Sequence, residues 1–393
     1  MRIAFYSPRS THLEHGLEKG GDPIFLHELF AGLQRAGHEV EVVSRLNVHD
    51  LWRGRVPART LLSEALAVRR RVKRFRPDAW LVYKPSRTYP DLFGWWLRPK
   101  RYVLLGAHTW QSRRIPRRWR SFLAWAYRRT LQRADFVTVL LPQTLGRLRT
   151  YGVEPERARL LFTAVPVPAD VPAQDDARRR LGLPGDVPIV LCTTRLTEPG
   201  SGQGKTEMVL DLLSVAPSLP ADVLIVVGGD GPGRAAIEAE VRRLGLHERV
   251  RLVGAVDRAE TTWHFAACDL YVQPHPLDGP WLSVLEAQAA GRPVVTMHTR
   301  SGELTVDVGG SGLLARTIDE FGEHVRALTS DRERCAAMGR RARQFILDEH
   351  SIDVRVRQIE ELLEAGRPRP QRLSDRARTL PRLRAKEDSA LHG

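Results

Sequence analysis

Two acidic residues with seven others between them, Asp278 and Glu286, flank a loop-to-helix junction in the stretch DGPWLSVLEAQAAGRPVVT (278–296). An ionised carboxylate offers only acceptors, so such a pair suits hydroxyl groups. The first turn of a helix offers the opposite, backbone N–H groups with no intrahelical partner, which suit a phosphate. Leu282, Ser283 and Val284 are the candidate donors at this junction. Gly291-Arg-Pro293 stops the helix and an apolar strand follows. A ligand that joins a diphosphate to a polyhydroxylated ring is a nucleotide sugar. A second use of Glu286 competes: Ser283-Val-Leu-Glu286 has the spacing of a capping box, in which the glutamate bonds back to the cap's own N–H.

A departing diphosphate gathers negative charge, and donors fixed on that charge stabilise the transition state. Many transferases hold a divalent metal for this on an Asp-x-Asp motif. This chain contains none, so no metal cofactor is expected. Cationic side chains with a helix N-terminus are the alternative. Arg195 follows the apolar run PIVLCTT (188–194), and Lys205 comes ten residues later, after EPGSGQG. GQGKT lacks the earlier glycine that a triphosphate-binding loop requires. His108 ends the run RYVLLGA (101–107) and precedes Thr-Trp-Gln; strand carboxyl ends are where open α/β sheets place ligands. Gly20 and Gly21, ahead of a helix start, let the main chain approach a phosphate closely.

These residues need strands and helices to hold them. The first half alternates strands at 2–7, 38–44, 79–83, 101–107 and 136–141 with helices, including an Arg-rich one over 117–133. Asp22 is the expected cap of the first helix, with Pro23 at its first position. A second series has strands at 188–194, 222–228, 250–255, 269–274 and 293–297, with a helix at 234–245. Helical pattern returns over 331–365. Such alternation specifies α/β architecture, with doubly wound parallel sheets. The expected units are 1–168, 169–345 and a last helix, 346–365, packing back toward the first unit. The Pro-, Ala- and Asp-rich stretch 165–187 reads as the linker, and the Arg/Pro-rich tail 366–393 as disordered.

A chain of 393 residues exceeds one ordinary core. No apolar run reaches the roughly 18 residues that span a bilayer. The N-terminus, MRIAFYSPRS, enters a strand directly and lacks the pattern of a signal peptide. Cys192, Cys268 and Cys335 have neither metal nor redox spacing, which fits a reducing, cytoplasmic compartment. Net charge is +18 over residues 1–165, −8 over 166–365 and +5 in the tail. Only six of the 61 basic residues are lysine, which accounts for arginine over lysine but not for that asymmetry. A basic first half suggests an anionic partner. Within it, RRIPRRWRSFLAWAYRRTLQR (113–133) as a helix sets Trp119, Phe122, Leu123, Ala126 and Tyr127 near one side, a pattern of membrane surfaces and of packed helices alike.

The whole series resembles the retaining glycosyltransferases of family four, which have the GT-B fold: two Rossmann-like units facing a cleft. The resemblance rests on TRL (194–196), Lys205, IVVGGDGP (225–232), VRLVGAV (250–256), AACDLYVQPHP (266–276), DGPWLSVLEAQAAGRPVV (278–295) and SGEL (301–304). Gly20-Gly21 ahead of AGHEVEVVS and His108 add the first half, so about residues 1–360 are covered. It implies that Arg195 and Lys205 clamp the donor diphosphate, that Glu286 holds the ribose hydroxyls and that Asp278 accepts from the transferred sugar. It further implies that His108 lies near that sugar and that Gly20 and Gly21 lie near the phosphates. The family's first carboxylate is usually glutamate; Asp278 is one methylene shorter, and Pro280-Trp-Leu replaces the usual aromatic-glycine pair. The loop before Lys205 is longer than usual and is expected to order on donor binding.

The function expected is hexosyl transfer from a UDP- or GDP-sugar to a hydroxyl of a glycan, lipid-linked or lipopolysaccharide-type acceptor. The acceptor hydroxyl attacks on the face that the diphosphate leaves, and the diphosphate oxygen takes its proton. A peripheral position on an anionic membrane fits the basic first half. Rival classes are an epimerase or phosphorylase of the same fold and a non-catalytic partner with a degenerate site. A nucleic-acid-binding protein is the reading that a pI of 10.5 prompts. No nucleic-acid motif supports that last reading, and the basic charge lies outside the diphosphate half.

Overall fold

The computed structural model describes residues 1–9, 21–109, 112, 115–275, 279 and 281–365; Gly20, Asp278 and the basic tail lie outside the described residues. Among the described residues the chain forms two parallel six-stranded sheets. The first holds β1 (Arg2–Tyr6), β2 (Glu39–Ser44), β3 (Ala79–Tyr83), β4 (Tyr102–Leu105), β5 (Phe136–Val139) and β6 (Ala158–Leu160), in the order β2-β1-β3-β4-β5-β6. Its helices are α1 (Gly21–Arg35), α2 (Val48–Trp52), α3 (Thr60–Phe75), α4 (Gly94–Leu97), α5 (Arg117–Arg133) and α6 (Pro142–Leu148). After α7 (Gln174–Arg180) the second sheet holds β7 (Ile189–Thr193), β8 (Leu224–Gly228), β9 (Val250–Gly254), β10 (Leu270–Gln273), β11 (Val294–Met297) and β12 (Gly312–Ala315). Its order is β12-β11-β10-β7-β8-β9. The helices are α8 (Lys205–Val215), α9 (Arg234–Arg243), α10 (Arg258–Ala267), α11 (Leu282–Ala289), α12 (Gly302–Thr305), α13 (Ile318–Ser330) and α14 (Arg332–Phe345). The last helix is α15 (Ile352–Ala365).

This is the GT-B arrangement expected from the resemblance. Helices cover both faces of each sheet, so central strands such as AWLVY and LIVVG are buried at every residue and read as continuous apolar runs. Their side chains still alternate between faces. In the first sheet Ala4, Tyr6, Trp80 and Val82 enter one core with α3 and α5, while Ile3, Phe5, Leu81 and Tyr83 enter another with α1 and α15. From α15, Ile352, Val356, Ile359 and Leu363 complete that second core, each burial contributing on the order of 1.5–3 kcal/mol. α1 and α15 approach closely: a Cβ on Gly32 would stand 2.9 Å from the methyls of both Ile352 and Val356.

Four expectations change. The linker carries α7. Strands β6 and β12 and helix α13 were not read from the sequence. α1 begins at Gly21, one residue before the expected cap, Asp22. The helical stretch 331–365 is split by a π-helical turn, Ile346–His350, before Ser351. The chain passes between the sheets side by side with itself here: Val165 N–H donates to the His350 carbonyl at 2.9 Å, and Ile352 N–H to the Val165 carbonyl at 3.2 Å. Phe162 and Val165 pack there with Leu285, Ala289 and Ile346.

Candidate functional site

Beyond β7 the chain stays against the continuation of β8. Thr194 N–H donates to the Gly228 carbonyl at 2.9 Å, and Leu196 N–H to the Asp230 carbonyl at 3.1 Å. Glycine makes this possible. Gly229 and Gly231 have φ of 142° and 143°, and a Cβ on them would stand 1.7 Å from the Thr194 oxygen and 2.1 Å from the Leu196 oxygen. Arg195, exposed, lies between these two pinned residues. Lys205 is not a loop residue: it opens α8 and is half-buried. Burial, and then the charge of Arg195, hold its ammonium below the usual lysine range. Two neighbouring cations at a helix N-terminus make an electropositive spot that a diphosphate would relieve.

The longer loop before Lys205 is tied at three points. Thr206 Oγ1 donates to the Thr197 carbonyl at 2.5 Å, Gly200 N–H donates to Glu207 at 2.6 Å, and His275 Nε2 meets the Gln203 carbonyl at 3.1 Å. The expectation that this loop waits for the donor to order it therefore meets a loop already anchored to α8 and to the end of β10.

α11 starts at Leu282, with Trp281 before it in the left-handed region at φ 35° and no side-chain cap. This overturns the capping box. Ser283 lies inside the helix, and its hydroxyl donates to Gln273 Oε1 at 2.9 Å. Gln273 also receives the Tyr271 hydroxyl at 3.4 Å, and that hydroxyl meets Thr193 Oγ1 at 3.1 Å. The ends of β7 and β10 and the start of α11 are thus one polar chain. Val284 is corrected as a phosphate donor, since its N–H bonds the Trp281 carbonyl at 3.1 Å. Leu282 and Ser283 keep the first-turn N–H groups that intrahelical bonding does not use. Gly279 N–H donates to Ser301 Oγ at 3.2 Å, which joins SGEL to the carboxylate-bearing loop.

Glu286 faces Arg258, the first residue of α10, at 3.7 Å. Burial pushes its carboxyl above the usual carboxylate range, and Arg258 pulls it back. On the first sheet, His108 stands three residues past β4, where its N–H donates to the Pro85 carbonyl at 2.9 Å and it pairs with Ser86. Gly21 is the first residue of α1. The structure therefore brings Arg195 to Lys205, and Arg195 stands just past Thr193, one end of the polar chain that reaches Ser283. His108, in a loop past β4, and Gly21, at the start of α1, belong to the other sheet's unit.

Sequence reasoning missed Arg258, Tyr271, Gln273, His275 and Ser301. The signal for three of them was polar residues at the carboxyl end of an otherwise apolar strand, Tyr271, Gln273 and His275 at alternate positions. Arg258 had no local signal.

The descriptions of two family models match: "Glycosyl transferase 4-like domain" over residues 20–162 and "Glycosyl transferases group 1" over 173–345. The GDP-mannose-dependent α-(1-6)-phosphatidylinositol monomannoside mannosyltransferase of Mycobacterium tuberculosis is 30% identical over 223 residues, 54% of either chain. The chain spans about half the length of the curated relatives it matches. Sucrose-phosphate synthase from Thermosynechococcus elongatus has the same fold, with TM-score 0.65 and 19% identity over 93% of this chain and 98% of that one. A glycosyltransferase from Rickettsia africae does too, with TM-score 0.68 and 13% identity over 93% and 97%. With both halves matched in order and the two-sheet fold in place, the chain belongs to the group 1 glycosyltransferases.

Proposed function

We propose that this protein is a retaining glycosyltransferase. It takes a hexosyl group from a UDP- or GDP-sugar and passes it to a hydroxyl of a glycan, lipid-linked or lipopolysaccharide-type acceptor. The observation that carries this reading is Lys205, half-buried at the start of α8 with its charge disfavoured by burial and by Arg195. A site that crowds two cations against a helix N-terminus is built for an anion of more than one charge. Arg195, Lys205 and the first-turn N–H groups of α11 stabilise the leaving diphosphate, the role a metal has in other transferases. Glu286 accepts from the ribose, Asp278 from the transferred sugar, and His108 reaches that sugar from the first sheet. Gly20 and Gly21 border the phosphates. The acceptor oxygen attacks the anomeric carbon on the face the diphosphate leaves; the carbon–oxygen bond to the diphosphate breaks, and the acceptor proton passes to the released oxygen.

The acceptor side is read from the first sheet. Trp125 is 44% exposed on α5, edge-on to Trp95 at 5.0 Å and beside Phe122 at 6.1 Å, with Arg129 over its ring. α3, which packs into the same core as α5, exposes Leu62 and Leu66 together with Arg69, Arg70 and Lys73. Exposed apolar groups among arginines suit the headgroup layer of an anionic membrane. Among the described residues no helix is long and apolar enough to cross one.

Thermal-shift measurement against a panel of nucleotide sugars tests the reading. GDP-mannose belongs in the panel because the mycobacterial relative's name carries it. Stabilisation by one sugar nucleotide names the donor, and the anomeric configuration of the product then tests retention. No stabilisation by any, with no transfer, sinks the proposal. Undiminished transfer in Lys205→Ala would sink the site assignment.

A further inference from the structure

We propose that Arg258 is a positioning residue for the donor nucleoside: it holds the Glu286 carboxylate in the orientation that accepts the ribose hydroxyls. This deepens the donor reading and rests on the assignment of Glu286 to the ribose. Arg258 Nη1 stands 3.7 Å from Glu286 Oε1. Both residues sit on rigid elements. α10 and α11 share one core, in which Phe265, Ala266 and Ala267 pack with Trp281, Val284 and Ala287. Arg258 follows the carboxyl end of β9, an edge strand, while Glu286 belongs to the helix after β10. The arginine thus reaches the carboxylate from the first turn of α10, and its partner lies in the second turn of α11, which leaves the first turn of α11 open to phosphate. At 3.7 Å the contact is an ion pair longer than a hydrogen bond, so most of the carboxylate's lone pairs are left for hydroxyl donors. Burial works against the charge on Glu286, and Arg258 is the cation that offsets it. Arg258 is 47% exposed along its side chain, so its removal leaves no cavity in the core.

Calorimetric titration of the full chain tests this with whichever of GDP or UDP the wild type binds, and with the 2′,3′-dideoxy form of that nucleotide. A hydrogen bond to a charged group is worth about 1.5–3 kcal/mol, so the wild type should prefer the ribose form by at least about tenfold. Arg258→Ala should lose most of that preference by weakening the ribose form alone. Arg258→Lys should restore part of it, and Glu286→Gln should mimic the loss. An Arg258→Ala variant that keeps the full preference, or that weakens both forms equally, overturns the proposal. Should Arg258→Ala not fold, Arg258→Gln carries the same expectation. Equal binding of the two forms by the wild type overturns the ribose role of Glu286 and this proposal with it. Binding of neither nucleotide overturns the donor reading itself.

Discussion

His275 Nε2 and the Gln203 carbonyl, 72 residues apart in sequence, meet at 3.1 Å. The carbonyl can only accept, so the ring nitrogen donates, and the loop ahead of Lys205 is fastened to the end of β10. The lysine's position is thereby set by two strands at once. Replacing His275 with Ala removes one of the loop's three ties without touching either core. The expected result is a several-fold rise in donor KM with little change in melting temperature, read from initial rates and a thermal melt.

Burial and the neighbouring Arg195 disfavour the charge on Lys205, and a bound diphosphate would offset both. With its pKa below the usual lysine range, Lys205 loses its proton earlier as pH rises, whereas the anion binds the protonated form. Nucleoside diphosphate affinity should therefore decline on the alkaline side. There, titration in buffers of different ionisation enthalpy should show proton uptake on binding. In Lys205→Met both effects should vanish and affinity should drop at least about tenfold.

Gly229 meets the Thr194 oxygen where a Cβ would stand at 1.7 Å, and its φ of 142° excludes other residues. Gly229→Ala must push β7's extension away from β8 or fail to fold. A loss of about 2–4 kcal/mol in denaturant unfolding is expected, with donor binding lost even where the fold survives.

His350 is the clearest source of pH-dependent stability. Burial is the main reason that its pKa falls from 6.5 to about 4, and its ring lies 3.3 Å from the Thr163 carbonyl. Between those two pH values the unfolded chain binds a proton that the folded chain does not, so stability falls as pH falls through this window. Above it the contribution is constant. The full effect is at most about 3 kcal/mol. His350→Phe, among Phe162 and Phe345, should flatten the slope in that range in urea unfolding at stepped pH.

The aromatic and arginine surface of α5 predicts sedimentation with anionic liposomes at low salt, fading as salt rises. Trp125→Ala combined with Leu62→Ala should weaken that binding while donor affinity stays unchanged. Absence of sedimentation at low salt would rule the membrane reading out.

Sequence periodicity located most of the buried strands because doubly covered strands are continuous apolar runs bounded by turn residues, but it overlooked β12, Gly312–Ala315, a largely buried run of only four residues. It also overlooked β6, Ala158–Leu160, which is three residues long and mostly exposed. α13 was missed although Thr317 and Glu320 carry a capping signature, in which Thr317 accepts from the Glu320 N–H and Glu320 from the Arg316 N–H. At the candidate site, Arg195 just beyond β7 and Lys205 at the start of α8 could be picked out because strand and helix ends mark such positions, whereas Glu286, in the second turn of α11, was named through the resemblance. Arg258 was not legible, since nothing local pairs residues 28 apart on two helices. Ser283 misled for the opposite reason. Its spacing to Glu286 imitates a cap, but Gln273 takes the hydroxyl and Arg258 takes the carboxylate.

The double crossing at Val165 and Ser351 has a mechanical meaning. Two main-chain spans joined by their own hydrogen bonds behave as a two-ply strap: a swing about the line of the strap leaves the bonds intact, whereas a twist or a slide shears them. Any opening of one sheet toward the other would then follow a door-like path, and a single cut in either ply would leave the leaves still fastened.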